Sequence, residues 1–455
     1  MDKTKKIITY VSIAVSFLLI FIYCLSPLHV GINSGGLNAD IEKSAGIAGV
    51  NDGGFYIKYK ILDDSGEFLK DGSYATIIRT VVSVVKNFSN YFDIRIMSFL
   101  MMVLLLISVY YINKYINLGS TIGNIILGVI SVFVFFDLSY LLYLNTLYAE
   151  GAFYVLFMFM ISLYIKLVCS KKPQLPTTVL FFIVATIICG LKEHFVWLVI
   201  PFVIMGIYLY IIRKGYTYRI VVIGMSLILI LYPTIRYKTF SDYGRNIFNS
   251  TFYGVLYENE NSVDAAEKLG ISEYEELAGK NSYEVDINEV DLSLLSYNKI
   301  SLYYTNINNY LNQYKYVGYN AFETYPKYSG NFTMDSGRPA GALAKGFLLS
   351  NIIKTKIFPK TLWFIYGVPV LLIILLIGYR KILNKGIVTL GISTSIASMI
   401  LFNIPMITSG LVDIARTMAV FNIAFDMVWS GIILVLIYVT SERRKEFKEK
   451  YGLTQ

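Results

Sequence analysis

The sequence is poor in charged residues, cysteine and histidine, and each shortage excludes a class of protein. Only 16% of its 455 residues are charged, whereas soluble proteins carry about 25%, and the mean hydropathy is +0.57. The cysteines Cys24, Cys169 and Cys189 form no CxxC pair or metal-ligand spacing, so disulfides and structural zinc are unsupported. The two histidines, His29 and His194, exclude a histidine-rich metal site. A soluble enzyme, a disulfide scaffold and a disordered chain are therefore excluded.

Long apolar runs dominate the rest of the chain. At 1.5 Å per residue, a helix of about 20 residues crosses a hydrocarbon core about 30 Å thick. Runs of roughly this length lie near 7–25, 96–113, 121–140, 152–168, 177–191, 195–212, 220–235, 361–379, 387–404 and 417–439. The sequence therefore predicts an all-α polytopic membrane protein with about ten transmembrane helices.

The positions of the basic residues predict how these helices are oriented. Lysines and arginines precede the first run, follow the last and occupy alternate short loops, as the positive-inside rule describes for cytoplasmic segments. Examples are Lys3, Lys5, Lys6, Lys114, Lys171, Lys172, Arg213, Lys214, Arg219, Arg380, Lys381, Lys385, Arg443, Arg444, Lys445, Lys448 and Lys450. Both termini are therefore predicted to be cytoplasmic, in a multi-pass protein of the cell membrane. Because this pattern accounts for most of the net charge of +9, the expected partner is the lipid bilayer and not nucleic acid.

The same topology divides the chain into six parts. In order they are the first transmembrane helix (1–25), an extracytoplasmic loop (26–95), transmembrane helices two to seven (96–235), a long extracytoplasmic loop (236–360), transmembrane helices eight to ten (361–439) and a basic cytoplasmic tail (440–455). Because the cytoplasmic loops are short, we expect a small extracytoplasmic region to carry the functional site. No glycine-rich phosphate loop is present on the cytoplasmic side.

Two segments outside these runs, 76–92 and 351–362, are amphipathic at helical spacing. Their apolar faces consist of Ile77, Val81, Val84, Val85 and Phe88 in the first and of Ile352, Ile353, Ile357 and Phe358 in the second. Lys354 falls on the polar face of the second segment. Both segments are too short and too polar to span, so they are predicted to be interfacial helices. They either contribute to a lipid-substrate site or only keep loops close to the bilayer.

Polar residues gather at the predicted outer ends of several spans. Asp52 lies in the stretch Asn-Asp-Gly-Gly-Phe-Tyr at 51–56, which suits either a carboxylate beside bound sugar or a tight turn. Residues 137–150 contain three tyrosines typical of an interfacial belt, together with Asp137 and Glu150. Because an acid near the membrane is costly, these two carboxylates are expected to face a cavity or a partner.

Cations also occur at these outer ends, where the positive-inside rule disfavours them. Lys192, Glu193 and His194 form a complete turn between two apolar runs, and Arg416 precedes the last run. The turn is either part of a site or a solvated connection. Arg416 either binds a phosphate through the two-pronged guanidinium contact or pairs with Asp413 for structural reasons.

Acids, cations and aromatic residues at one face of an apolar bundle suit glycosyl transfer from a lipid phosphate. A carboxylate takes the proton of an acceptor hydroxyl as its oxygen attacks the anomeric carbon. Cations stabilise the departing polyprenyl phosphate, and aromatic faces hold the sugar rings. The lipid tail would lie in a groove between helices.

With these residues the chain resembles the GT-C superfamily of integral-membrane glycosyltransferases, especially its bacterial glycan-biosynthesis hexosyltransferase branch. The topology is similar over nearly the whole chain. In the motifs, Asp52 stands where the family carries its first-loop catalytic acid. The stretch Tyr-Leu-Asn-Thr-Leu-Tyr-Ala-Glu at 143–150 resembles the family's stretch at the start of the fourth span. Residues 413–422, with Asp426, resemble the family's stretch at the start of the last span.

The resemblance implies a GT-C-like fold and a hexosyltransferase activity. The enzyme would move a hexose from a polyprenyl-phosphate donor to an extracytoplasmic glycan or cell-envelope acceptor. By this resemblance Asp52 is the catalytic base and Glu150 a second catalytic carboxylate. The donor phosphate is expected to be bound by Arg416, Lys192 and His194, of which Lys192 rests on its location more than on a motif.

The remaining contacts implied by the resemblance are with sugar. Tyr56, Tyr148 and Asn145 are expected to touch the sugar or the acceptor. No cofactor and no metal ligand are predicted, and a single acid in the first loop gives a divalent cation no support.

Two other functions fit parts of the same pattern. A glycan polymerase or ligase shares the many spans and the large late outer loop, and would use Arg245 and Arg338 as its main site. A transporter or flippase of lipid-linked glycans predicts inverted repeats and charges at the midplane. No repeat is visible, and Asp426 is the one feature that favours transport.

Overall fold

Helices form nearly all of the regular structure. The computed structural model describes residues 3–33, 39–49, 56–63, 72–170, 174–237, 243–257, 262–295, 307–333, 336–339 and 341–451. Its α-helices are α1 (Lys3–Ile20), α2 (Ala39–Ala45), α3 (Gly72–Val85), α4 (Arg95–Tyr115), α5 (Thr121–Phe133), α6 (Leu138–Leu141), α7 (Ala149–Cys169), α8 (Leu175–Cys189), α9 (Val199–Ile212), α10 (Tyr216–Arg236), α11 (Tyr243–Ser250), α12 (Ser262–Leu269), α13 (Ile307–Asn320), α14 (Leu349–Lys356), α15 (Leu362–Gly378), α16 (Lys385–Ser409) and α17 (Ile414–Lys450). Its strands are β1 (Ile47–Gly49), β2 (Lys58–Ile61) and β3 (Tyr91–Asp93).

The predicted all-α polytopic membrane fold is confirmed. Within the described ranges, seven helices are long and apolar enough to cross a membrane: Lys3–Leu25, Arg95–Tyr115, Ala149–Cys169, Glu193–Ile212, Tyr216–Arg236, Lys385–Ser409 and Ile414–Lys450. Helix α5 and the segment Leu138–Asn145 form an eighth candidate, bent by 44°. The other two predicted runs are helical as α8 and α15, with 15 and 17 residues. Ten crossings stay a prediction, because a crossing needs about 20 residues.

Helix α7 is the most interior of the long helices. In the most apolar 18-residue stretch of α7, 83% of the residues are buried. The corresponding fractions for the spans that contain α1 and α10 are 28% and 22%. Helix α7 packs against α4, α8, α16 and α17. Helices α1 and α10 instead expose side chains such as Val11, Ile223 and Leu231, an apolar surface that a bilayer would cover. The start of α7 therefore lies at the centre of one end of the bundle.

The described residues of the segment 26–95 contain a small sheet that the sequence did not predict. Strands β1, β2 and β3 pair antiparallel in that order, with Gly49 opposite Tyr59 and Tyr59 opposite Phe92. Strand β2 alternates exposed and buried side chains and buries Tyr59 and Ile61. The strands have three or four residues each, too few for this alternation to stand out in the sequence. Residues 91 and 92, predicted as the end of an interfacial helix, belong to β3.

Helix α3 begins and ends earlier than predicted, and its buried face is different. Tyr74, Ile78 and Val82 are buried, whereas Val84 is 58% and Phe88 85% exposed. The helix is fixed at its start, where the Ser73 backbone N–H donates to the Gly190 carbonyl at 2.7 Å. Packing against α2 and α8, and not the interface alone, therefore decides which side faces inward.

Helix α14 turns its polar face, and not its apolar face, toward the interior of the protein. Its polar residues Asn351 and Lys354 are buried, whereas Ile352 is 45% and Ile357 69% exposed. The Asn351 backbone N–H donates to Asp137 Oδ2 at 3.1 Å. Because lipid is as apolar as isoleucine, the isoleucines gain nothing from facing the protein. The polar side chains turn inward because their partners lie there.

Lys354 joins a fully buried ion pair. Its Nζ lies 2.8 Å from Asp426 Oδ2, and both side chains are 0% exposed. Tyr140 Oη donates to the same carboxylate at 2.5 Å, and Trp429 Nε1 donates to Asp426 Oδ1 at 2.8 Å. We call Lys354, Asp426, Tyr140 and Trp429 the Lys354 network. It connects α14 to α6 and α17, and it gives Asp426 a buried counter-charge within the protein.

Breaking this pair from one side should destabilise the protein strongly. Lys354→Met leaves the Asp426 carboxylate buried without its counter-charge, and we expect a loss of about 3–5 kcal/mol. The double variant Lys354→Met/Asp426→Leu removes both charges and should recover most of that loss. Unfolding in detergent, followed by temperature or denaturant, measures both effects.

Lys356→Met is the matched control, because Lys356 lies on the same helix and is exposed. It should change stability little. A double variant no more stable than Lys354→Met would contradict the assignment of the pair.

Candidate functional site

The first turn of α7 carries Glu150 into the interior. Gly151 permits this placement, because a Cβ there would lie 2.4 Å from the Tyr143 carbonyl oxygen. Glu150 is 2% exposed, and its Oε1 accepts a hydrogen bond from Lys192 Nζ at 2.8 Å. A carboxylate at a helix N-terminus is favoured by the helix dipole. The cation and the dipole together explain how this acid is accommodated out of water.

Arg416 reaches the same carboxylate from the first turn of α17. Its Nε lies 2.9 Å from Asp413 Oδ2 and 3.8 Å from Glu150 Oε1. Its guanidinium lies over the Tyr148 ring, 4.9 Å from the centroid. The Arg416–Asp413 pair considered from the sequence is therefore present, and Arg416 also faces Glu150. Asp413 adopts a left-handed conformation with φ 49°, which acidic side chains tolerate better than most.

His194 completes the group. It is 6% exposed and lies within electrostatic range of Lys192, Glu150 and Arg416. Among the residues that the structure describes, none hydrogen-bonds to either ring nitrogen of His194 or to Glu150 Oε2. We call Glu150, Lys192, His194, Asp413, Arg416 and the ring of Tyr148 the Glu150 cluster.

Three buried polar atoms of the Glu150 cluster, on two ionisable side chains, have no hydrogen bond from the described residues. A buried polar group without a hydrogen bond costs about 1–3 kcal/mol. Such groups are rare in folded proteins, and one cause is a functional role. The cluster therefore has the polar capacity to bind a ligand.

Described residues of the segment 26–95 lie against one side of the cluster. Tyr74 Oη of α3 donates to the Thr146 carbonyl at 3.0 Å. Burial raises the pKa of Tyr74, and the negative charge of Glu150 raises it further. Burial likewise raises the pKa of Tyr59 in β2, with a smaller contribution from Tyr148. The small sheet and α3 thus bring this loop to the site.

Glu42 is a carboxylate in this loop that the sequence analysis missed. It is half-buried, and its Oε2 accepts a hydrogen bond from the Gly49 backbone N–H at 3.1 Å. Burial raises its pKa, and it interacts electrostatically with Tyr59. Nothing in the local pattern of 39–45 distinguishes it from an exposed helical glutamate, because its proximity to the site depends on the pairing of β1 with β2.

The described parts of the segment 236–360 contact another side of the cluster. The Leu411 backbone N–H donates to the Tyr253 carbonyl at 3.1 Å. Gly410 makes this contact possible, because its φ is +62° and a Cβ there would lie 2.5 Å from the Asn249 carbonyl oxygen. Tyr283 is within electrostatic range of Arg416. The turn that leads to Arg416 is therefore held by the segment 243–257.

Several predicted site residues come together in the structure. The structure brings Glu150, Lys192, His194, Arg416 and Tyr148 into one cluster. Asp52, the predicted base, lies outside the described residues.

The predicted contacts of Tyr56 and Asn145 with sugar or acceptor stay predictions. Tyr56 is half-buried and in electrostatic range of Tyr59. Asn145 donates to the carbonyls of Cys24 and Val30 at 2.8 and 2.9 Å and accepts from Ser98 Oγ at 2.5 Å. Because these contacts occupy its amide, they give a sugar-binding role no support. Over the described ranges, no group of three or more His, Cys, Asp and Glu side chains has an arrangement that could hold a metal ion.

Comparison with known proteins gives one finding. The family model described as the YfdI N-terminal transmembrane domain matches residues 3–453, so the chain belongs to this family of membrane proteins. No curated protein and no solved structure gives a significant match.

The turn before Arg416 should be sensitive to a single methyl group. Gly410→Ala places a Cβ against the Asn249 and Tyr253 carbonyls and forces an unfavourable positive φ, so we expect a loss of about 2 kcal/mol or more. Gly224→Ala is the control, since a Cβ there meets nothing within 4 Å. It should be neutral or stabilising by up to about 1 kcal/mol. The melting temperatures of the two variants test this prediction. Equal melting temperatures would contradict the close packing of the turn before Arg416.

Proposed function

We propose that this member of the YfdI N-terminal transmembrane family is a glycosyltransferase. It moves a hexose from a polyprenyl-phosphate donor to an extracytoplasmic glycan or cell-envelope acceptor. The observation that carries the proposal is the Glu150 cluster, in which Lys192, Arg416 and His194 meet at one end of an apolar bundle. The family is associated with membrane proteins of the glycosyl-transfer type, which supports the same function.

The cluster is proposed to bind the donor phosphate. Lys192 and Arg416 are only 15% and 17% exposed, and attraction between opposite charges is stronger there than in bulk water. A guanidinium has five N–H donors, so a carboxylate at Nε leaves it able to bind a phosphate oxygen. Either ring nitrogen of His194 can form the hydrogen bond that it lacks.

Glu150 is proposed to position the cations. Its Oε1 contacts Lys192 and faces Arg416, so it keeps two like charges close together before the donor arrives. The ring of Tyr148 supports the guanidinium of Arg416 from one side. Aromatic rings are also good surfaces for sugars, in agreement with the predicted role of Tyr148.

The transfer step needs a base for the acceptor. The acceptor oxygen bonds to the anomeric carbon, the bond from that carbon to the phosphate oxygen breaks, and a carboxylate takes the hydroxyl proton. The cations stabilise the charge that develops on the departing polyprenyl phosphate. Asp52 is the proposed base, and Glu42 is the competing carboxylate.

The location of Gly49 supports Asp52. Asp52 follows Gly49 by three residues, which span at most about 11 Å of chain. Gly49 pairs with Tyr59, which lies within electrostatic range of Tyr148.

Removing the base should stop transfer without unfolding the protein. Asp52→Asn should lower the rate by about two orders of magnitude or more, measured as transfer of labelled hexose from a synthetic polyprenyl-phosphate hexose to a cell-envelope fraction. Asp63→Asn is the control, because Asp63 is fully exposed and pairs only loosely with Lys86 at 3.4 Å. It should stay near the wild-type rate.

Glu42→Gln decides between the two carboxylates. An active Asp52→Asn with an inactive Glu42→Gln would move the role of base to Glu42. Failure of the wild-type protein to transfer any labelled hexose would reject the proposed function.

Arg416 should matter for the donor and not only for the fold. Arg416→Ala should raise KM for the donor and lower kcat, since the phosphate contact strengthens as charge develops. Arg416→Lys should also impair transfer, because an ammonium cannot reproduce the two-pronged contact. Asp413→Ala should reduce stability but leave binding of polyprenyl phosphate at least as strong as in the wild type, because it removes a competitor for Arg416.

Arg95→Ala is a matched control for this prediction. Arg95 pairs with Asp93 at 2.5 Å at the same end of the bundle, 34% exposed, and its loss should not change donor binding. Each variant is titrated with polyprenyl phosphate, and the increase in melting temperature reports how strongly it binds. This measurement distinguishes a loss of donor binding from a loss of stability. Equal loss of stability in Arg416→Ala and Asp413→Ala with normal binding would remove Arg416 from the site.

A further inference from the structure

A large apolar cavity lies at the far end of the bundle from the Glu150 cluster. Glu150 and Cys169 mark the two ends of α7, which are about 28 Å apart at 1.5 Å per residue. The cavity, about 330 Å³ in volume, includes Cys169 and is walled by leucines and isoleucines such as Leu127, Ile161, Leu376 and Leu434. Helix α5 packs on α1, α4 and α17, and α15 packs on α13, α16 and α17. The cavity therefore occupies the seam between these two groups of helices.

A second, polar pocket of about 480 Å³ adjoins the cavity. Tyr115 and Asn117 line both spaces. The polar pocket is otherwise lined by Lys5, Lys114 and Lys445, with uncharged polar residues of the turn at 119–124. Three lysines on three different helices thus surround one space next to an apolar cavity.

The charges in this pocket are only partly neutralised. Lys445 Nζ lies 2.6 Å from Glu442 Oε1, the one ion pair that the structure describes for these lysines. Lys114 Nζ donates to Tyr110 Oη at 2.9 Å. Lys5 is 9% exposed and interacts electrostatically with Cys169, a lining residue of the cavity. A positive charge therefore lies at the border between polar pocket and apolar cavity.

We propose that the two spaces form one binding site for an anionic phospholipid of the adjacent leaflet. The lysines bind the phosphate of the headgroup, and an acyl chain fills the cavity. Charge complementarity selects an anion, and the continuous apolar wall selects a lipid over a soluble phosphate. The positive-inside rule explains lysines at this end of the helices but not why three of them surround the mouth of a cavity. The site is separate from the proposed donor site and does not depend on it.

The experiment compares lipids that differ only in headgroup. Purified protein in an uncharged detergent receives dioleoylphosphatidylglycerol, dioleoylphosphatidylcholine or inorganic phosphate. Binding is followed by the melting temperature and by native mass spectrometry. We expect phosphatidylglycerol to stabilise the protein and remain bound, and the other two to do neither. Lys5→Gln/Lys114→Gln/Lys445→Gln should weaken this binding by about tenfold or more.

Two further variants separate binding from general effects of charge and folding. Ser430→Phe places a larger side chain in the cavity and retains every lysine. The Ser430 hydroxyl makes no hydrogen bond with the described residues, so none of those is lost. This variant should also weaken binding of phosphatidylglycerol. Lys381→Gln/Lys385→Gln removes two exposed charges outside the pocket at the same end, and should bind as the wild type does.

Three results would overturn the proposal. They are equal stabilisation by phosphatidylcholine, equal stabilisation by inorganic phosphate alone, and unchanged phosphatidylglycerol binding in the triple lysine variant or in Ser430→Phe. Each can occur whether or not the protein transfers hexose, so this test and the test of the proposed function fail independently.

Discussion

A charge buried inside a membrane protein must have a partner, and the pair of Lys354 and Asp426 shows what this requirement does to the fold. Both side chains are fully buried, and Tyr140 and Trp429 complete the hydrogen bonds of the carboxylate. Separating the partners would leave a charge in a medium where solvation is lost. The pair therefore fixes α14 against α17 at one position and turns the isoleucines of α14 outward. Helix α14 reverses the usual amphipathic rule because its surroundings contain lipid in place of water.

The need of buried polar groups for partners also distinguishes the Lys354 network, which is structural, from the Glu150 cluster, which is the candidate site. In the Lys354 network the buried carboxylate has both of its oxygens hydrogen-bonded within the protein. In the Glu150 cluster Glu150 Oε2 and both ring nitrogens of His194 have no hydrogen bond from the described residues. Both groups consist of buried polar residues near helix ends, so composition alone does not distinguish them. The incomplete hydrogen bonding of the Glu150 cluster leaves capacity for a ligand, and this argues that function belongs there.

Hydropathy and loop charge predicted much of this architecture from the sequence. Each of the ten apolar runs is helical, and Glu150, Lys192, His194 and Arg416 converge, because polar residues at the ends of neighbouring helices have few places to lie. The short strands, the buried face of α3, the inward side of α14 and the proximity of Glu42 to the site were not predicted. These features depend on contacts between residues far apart in sequence: Lys354 and Asp426 are 72 residues apart. A local pattern distinguishes apolar from polar positions but does not identify the partner of a buried lysine.

The charge balance of the Glu150 cluster constrains how a phosphate enters it. Lys192 and Arg416 are opposed by Glu150 and Asp413, so these four ionised side chains carry no net charge. Such a balanced group is stable without ligand, and an incoming phosphate must compete with a carboxylate for a cation. Asp413 is the carboxylate best placed to yield, because it lies in the turn after Gly410, whereas Glu150 is fixed in the first turn of α7. The segment 243–257 holds that turn through the Tyr253 carbonyl. In the proposed reaction, the segment 243–257 therefore helps to determine how readily Arg416 exchanges Asp413 for the phosphate of the donor.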